Sequence, residues 1–128
     1  MNNLILVFIG GGLGATLRYL INNFATDQIS INSEHNFPFG TFIANILGSL
    51  IIGFVVGLFE NEIFTNEQLR LFIIVGLLGG FTTFSSFSLE IVNMAQSGSY
   101  MVAVGYILSS IIIAIIFTLL GMKIGHSF

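Results

Sequence analysis

Four apolar runs divide the chain, roughly Leu4–Phe24, Phe39–Phe59, Leu69–Asn93 and Tyr100–Ile124. Each is as long as the ~20-residue helix that crosses a hydrocarbon core of about 30 Å. The connections are short and polar. Asn22-Asn23 through His35-Asn36 separates the first two runs, and Pro38 stands where the second helix begins, where its missing N–H costs nothing. Glu60-Asn61-Glu62 ends the second run, and Thr65-Asn66-Glu67-Gln68 reads as a capping box opening the third. Ala95 through Ser99 reads as a tight turn. No repeat or domain boundary is visible in 1–128, so the pattern predicts an all-α membrane protein, one domain of four helices. The start, Met1-Asn2-Asn3, lacks a positive segment and leads into further spans, which predicts a first span and not a cleaved signal.

Composition agrees with this pattern. The 128 residues are 55% hydrophobic and only 7% charged, against about 25% charged in a soluble domain. So few charges cannot cover a water-soluble globule. Three basic residues and a net charge of −3 leave no footprint for nucleic acid, which needs clustered Lys and Arg. With no cysteine there is no disulfide, thiolate ligand or thiol nucleophile.

The charges fall in loops or toward span ends: Arg18 late in the first span, Glu90 late in the third. His35 lies in a loop and His126 near the last residue. No carboxylate, lysine or histidine sits mid-span, unlike proton-coupled transporters, which usually carry one there. Arg70 and Lys123 share one side of a four-span bundle and Arg18 lies toward the other. That bias is too small for the positive-inside rule to fix an orientation. Either another cue orients the chain, or it inserts both ways.

Several motifs need weighing. Gly10-x-Gly12-x-x-Ala15 matches a dinucleotide fingerprint, with Glu34 as its acid, but the fingerprint requires a βαβ unit and the chain continues here into membrane span. Small residues at Gly10, Gly14 and Ala15 instead predict close approach of a neighbouring helix. In the second span Thr41, Asn45, Gly48 and Ser49 share one face. A deep asparagine needs hydrogen-bond partners. Asn45 is therefore either glue between helices or an amide donor offered to a passing anion. Ser110 and Thr118 fall near one stripe of the fourth span, although hydroxyls in membrane helices often satisfy their own i−4 carbonyl. Ala114, between them, adds no hydroxyl.

The stretch Gly79-Gly80-Phe81-Thr82-Thr83-Phe84-Ser85-Ser86-Phe87 carries the sharpest signal. Gly79 lies about 12 Å of helix beyond Leu71, near the bilayer midplane. The glycines Gly79-Gly80 and the β-branched Thr82-Thr83 predict a helix break there, with carbonyls freed from the hydrogen-bond ladder. Such backbone is tolerated at that depth only where protein or a polar cavity satisfies it. Beyond the break Phe84 and Phe87 share a face, and Ser85 and Ser88 form a parallel hydroxyl stripe. Aromatic rings have positive edges, so an aromatic wall beside a hydroxyl track can touch a small anion without a formal charge.

Together these pieces resemble the Fluc (CrcB) fluoride-channel family. The matching segments are Gly11-Gly12-x-Gly14-Ala15-x-x-Arg18-Tyr19, Gly40-Thr41-Phe42-x-x-Asn45-x-x-Gly48 and Gly79 through Ser88-x-Glu90. The resemblance covers essentially the whole chain, and the third segment is the most specific. It implies an antiparallel, dual-topology homodimer in the cell inner membrane. It also implies two fluoride pathways and a central sodium ion held by backbone carbonyls. Phe84 and Phe87 then resemble the aromatic lining, Asn45 the amide donor, and Ser85, Ser88, Ser110 and Thr118 the hydroxyl track. Gly79 and Thr82 resemble the carbonyl donors to sodium. Arg18 resembles the family's first-span arginine and Glu90 its acid late in the third span.

The expected function is a passive fluoride-selective channel that exports the ion from the cytoplasm, not an enzyme. No nucleophile–base pair, metal-ligand cluster or phosphate loop survives its context. A small multidrug-resistance-type transporter is also short and four-spanning, but it depends on a first-span glutamate, and Leu4 through Leu17 contains no acid. A non-transporting assembly subunit is the other reading, and flux from purified protein separates it from both.

Overall fold

The computed structural model describes residues 2–28 and 37–128. Glu34, the acid of the dinucleotide fingerprint, and His35, the loop histidine, lie outside the described residues. The described chain is helical, in the order α1 (Asn2–Gln28), α2 (Phe39–Glu60), α3 (Glu67–Arg70), a π-helical segment (Leu71–Leu78), α4 (Gly79–Phe81), α5 (Phe84–Gln96) and α6 (Tyr100–Gly125). The elements from α3 to α5 form one crossing, so four helical stretches are long and apolar enough to span a membrane. Their limits agree with the apolar runs to within a few residues. The protein is a multi-pass membrane protein.

Local chemistry explains the boundaries. Pro38 is the N-cap of α2 and its carbonyl accepts from Phe42 N–H at 3.1 Å. Asn66, not Thr65, caps the third span: its Oδ1 accepts from Gln68 and Leu69 N–H at 2.9 and 3.1 Å. The expected capping box is thus one residue out of register, because asparagine one position on already satisfies two of the orphan amides. Gly98 turns the chain between α5 and α6 at φ 78°, a conformation open to glycine.

Packing relies on backbone contact. The most extensive pairing is α2 with α6. Gly53 and Gly57 face Gly121 and Gly125, two Gly-x-x-x-Gly pairs that bring the chains together: the α-carbons of Gly57 and Gly125 each lie 3.0 Å from where the other glycine's Cβ would stand. Alongside, α1 packs on the π-helical segment and α4. Gly10 and Gly14 abut the backbone of residues 72–81, whereas Gly12 has open space around it. Small residues of the first span therefore serve helix packing, as expected. The wide π-helical turn, with Gly79 N–H reaching back to the Ile74 carbonyl, was not legible in the sequence.

The buried core is small and sits where α2, α5 and α6 meet. Phe87, Met94, Ala103 and Tyr106 cluster there, with Phe37 and Phe42 against them. Many large apolar side chains remain exposed, Phe8 at 82% and Met101 at 84% among them. In a bilayer that surface meets lipid or another helix and costs nothing.

Candidate functional site

The third crossing does break within the expected stretch, at Thr82-Thr83, while Gly79-Gly80 stays helical. Gly79 is helical at φ −63°, ψ −36°, whereas Thr82 and Thr83 are extended at ψ 156° and 123°. The glycines serve packing: a Cβ on Gly80 would run into the backbone of Gly11. The threonines stop the helix because they have better bonds to make. Thr83 Oγ1 accepts from Ser86 N–H at 3.2 Å and so caps α5. Thr82 Oγ1 donates to the Leu78 carbonyl at 3.0 Å.

Asn45 of α2 completes the break. Its Oδ1 accepts from Thr83 N–H at 2.8 Å and its Nδ2 donates to the Thr83 carbonyl at 3.1 Å. One side chain thus stands in for both backbone partners of the residue at the gap. An amide nitrogen has two protons, so one N–H remains after this clamp is made. Arg18 of α1 donates from Nε to the Gly80 carbonyl at 3.2 Å. Asn45 and Arg18, which reach the break from other helices, are both named in the sequence analysis.

The break also fixes which carbonyls lose their helical donors. In a continuous helix Thr83 N–H would reach Gly79 and Ser86 N–H would reach Thr82. The first is taken by Asn45 and the second by the Thr83 hydroxyl. The Gly79 and Thr82 carbonyls therefore lose their i+4 partners, as do those of Gly80 and Phe81 in the same last turn of α4. Neutral carbonyl oxygens suit a monovalent cation. Among the described residues no cluster of His, Cys, Asp or Glu offers an alternative metal site.

A cavity of about 360 Å³ opens beside the break, between α2, α5 and α6. Asn45, Ser49, Thr82, Thr83, Phe84, Phe87 and Ser110 line it, with Ile52, Ile111 and Ala114 as the apolar part. Among the described residues no charged side chain lines it. The rings of Phe84 and Phe87 lie 5.8 Å apart, tilted by 40°. They are not equivalent: Phe87 is buried against Tyr106 at 5.0 Å, while Phe84 projects from the chain at 79% exposure. The Ser110 hydroxyl is buried in the cavity wall without a hydrogen-bond partner.

The hydroxyl track is assembled only in part. Ser110 joins Asn45 in one cavity wall, but Ser85, Ser88 and Thr118 do not line it. Ser88 Oγ donates to the Phe84 carbonyl at 2.9 Å, and Thr118 Oγ1 to the Ala114 carbonyl at 2.9 Å, each one turn back on its own helix. Ser85 is exposed, with its Oγ 3.3 Å from Thr83 Oγ1. Within one chain, therefore, these hydroxyls serve local backbone or open outward.

Glu90 belongs to a second cluster on the far side of Phe87. Thr41 Oγ1 donates to its Oε1 at 2.5 Å and Tyr106 donates from its hydroxyl to Oε2 at 2.7 Å. The carboxylate so ties α2, α5 and α6 together. Tyr106, fully buried, was missed in the sequence. The available signal was a tyrosine inside an apolar span, whose hydroxyl must find a partner. Thr41 was placed on the Asn45 face but given no partner.

Comparison with known proteins bears on this arrangement. The family model described as CrcB-like protein, Camphor Resistance (CrcB), matches residues 5–122. A protein of Chloroflexus aurantiacus named fluoride-specific ion channel FluC is 38% identical over 128 residues, covering 100% of this chain and 98% of its own. A Phocaeicola vulgatus protein of the same name is 43% identical over 122 residues, 95% of this chain and 97% of its own. One from Francisella tularensis subsp. mediasiatica, also so named, is 42% identical over 125 residues, 94% of this chain and 92% of its own. With a family match and full-length relatives in agreement, the chain belongs to the CrcB-like family.

Proposed function

We propose that this protein is a passive, fluoride-selective channel that releases the ion from the cytoplasm across the inner membrane. The observation that carries the reading is the uncharged cavity beside the break. It pairs the spare Asn45 N–H and the unpartnered Ser110 hydroxyl with the rings of Phe84 and Phe87. Neutral donors and ring edges attract a small anion weakly enough to let it leave, which conduction requires. The relatives' printed name supports fluoride as the ion. Liposomes holding the purified protein should release fluoride rapidly and retain chloride, as read by ion-selective electrodes. Equal fluxes of the two ions would overturn the assignment.

The channel works as an antiparallel homodimer with two pathways. Support comes from Phe84, which at 79% exposure projects away from its own chain, and from the outward-facing Ser85. A second copy gives both a counterpart, and Ser88 and Thr118 join the track in the assembled pore. The near-balanced basic residues agree with insertion in both orientations. A Gln96→Cys variant, altered only at the exposed end of α5, should label from both sides of the membrane. Labelling from one side alone in fully inserted protein would rule this assembly out.

A sodium ion sits on the dimer axis as a structural staple. The residues fit it: two chains bring the Gly79 and Thr82 carbonyls, both relieved of helical donors, and no carboxylate that a divalent ion would recruit. When bound, the ion supplies positive charge to balance carbonyl dipoles at the midplane. Exhaustive replacement of sodium by a bulky organic cation should lower dimer stability and fluoride flux together. If both hold steady with sodium verifiably gone, the carbonyls have another partner.

A further inference from the structure

A cavity of about 300 Å³ lies at the end of the bundle where α2 stops, roughly 22 Å along α2 from Asn45. Its floor is apolar, made by Val56 and Phe59 of α2 and by Phe64 of the following loop. The loop is held in shape. Ile63 and Phe64 N–H donate to the Leu58 carbonyl at 3.1 and 3.4 Å, and the Phe64 ring lies 5.7 Å from that of Phe59. Glu62 takes the turn at φ 59°. The rim is charged, with Glu60, Glu67 and Arg70. Arg70 Nη1 lies 3.9 Å from Glu67 Oε1, and Glu60 Oε2 meets His126 Nε2 at 2.6 Å. None of these groups serves the cavity at the break.

Glu60 closes one membrane span and Glu67 opens the next, so the cleft lies at headgroup level. A molecule seated there meets carbon below and charge above. Two carboxylates call for a cation that can donate N–H bonds, and the guanidinium beside them calls for phosphate oxygens. We propose that this cleft binds the headgroup of a phospholipid with a primary ammonium, the phosphoethanolamine class. The ammonium sits between Glu60 and Glu67, the phosphate on Arg70, and the adjoining methylenes on Val56, Phe59 and Phe64. Anionic headgroups without an amine fit poorly, because the rim has one guanidinium against two carboxylates and the chain carries a net charge of −3. A choline headgroup has the charge but no N–H for the carboxylates, although it can rest on aromatic rings.

The test is native mass spectrometry of delipidated full-length protein, titrated with phosphatidylethanolamine, phosphatidylcholine and phosphatidylglycerol of identical acyl chains. The ethanolamine lipid should bind about fivefold more tightly than the choline lipid, the scale of the one net hydrogen bond that choline cannot make. Glu67→Gln, at a side chain 78% exposed and so safe for folding, should bring the two lipids near parity. Arg70→Ala should weaken both, since they share the phosphate. Equal binding of ethanolamine and choline lipids in the natural chain, or a preference for phosphatidylglycerol, overturns the proposal. So does an ethanolamine preference that survives both Glu67→Gln and Glu60→Gln.

Discussion

Asn45→Ala is expected to abolish fluoride flux and to destabilise the fold. The alanine cannot accept from Thr83 N–H or donate to the Thr83 carbonyl, and it removes the spare amide proton from the cavity. Each backbone group left unpaired costs about 1–3 kcal/mol. Water entering the cavity offsets part of this, so a loss of about 2 kcal/mol is expected in thermal unfolding of the purified protein. Flux should fall further than stability, because the break loses its only side-chain clamp from α2 among the described residues. Phe84→Ile separates the two effects. Exposed as it is, Phe84 contributes little to its own chain's packing, and isoleucine keeps apolar bulk while removing the ring edge. A tenfold drop in flux there corresponds to about 1.4 kcal/mol of lost interaction. Ring removal at Phe8, outside the motifs, should leave flux unchanged. Normal conduction by folded dimers of both Asn45→Ala and Phe84→Ile would refute the pathway.

Gly121→Leu is expected to cost about 3 kcal/mol of stability or more, through overpacking. A Cβ at Gly121 would press on the Leu50 carbonyl and lie 2.7 Å from Phe54 N. Both obstacles are backbone atoms of α2, so no rotamer change relieves the clash. The helices must separate, which loosens the Ser110 and Asn45 walls of the cavity at once. Gly105→Ala, on the same helix, serves as the control. Nothing lies within 4 Å of a Cβ at Gly105, so the change should fall within about 0.5 kcal/mol. Unfolding temperatures measured side by side decide the matter: equal behaviour of the two variants would show that α2 and α6 are not in backbone contact.

Much of the site was legible residue by residue. Asn45 stands out as a deep amide that needs partners, the two phenylalanines by their shared face beyond the break, and Arg18 and Thr82 through the family resemblance; Asn45 and Arg18 both bond to the backbone at the break. What the residues do to one another was less visible. Asn45 was left open between glue and donor, and the geometry makes it glue with a proton to spare. The sequence places the break between Gly79 and Thr83 without saying which of its residues leave the helix, because glycines and β-branched threonines are all poor helix formers. In fact the glycines stay helical, and the helix stops at the threonines, whose hydroxyls bond locally while Asn45 of α2 takes both backbone groups of Thr83. Ser88 and Thr118 looked like track members, yet each bonds one turn back on its own helix, an option every hydroxyl in a span carries.

The sequence by itself determined the four spans, the membrane setting and the irregularity of the third crossing. Those come from local quantities: run length against bilayer thickness, charge content, and the cost of polar backbone in hydrocarbon. Only the tertiary structure decided where the third span breaks, that its first half widens into a π-helical turn, and that Glu90 is shared by Thr41 and Tyr106. It also decided that Gly53, Gly57, Gly121 and Gly125 bring α2 and α6 into backbone contact. The break and the sharing of Glu90 are settled by partners distant in sequence: Asn45 lies 38 residues from Thr83, and Thr41 lies 49 from Glu90. A hydrogen bond or close approach of that kind leaves no periodic trace along the chain, because its energy belongs to two helices at once.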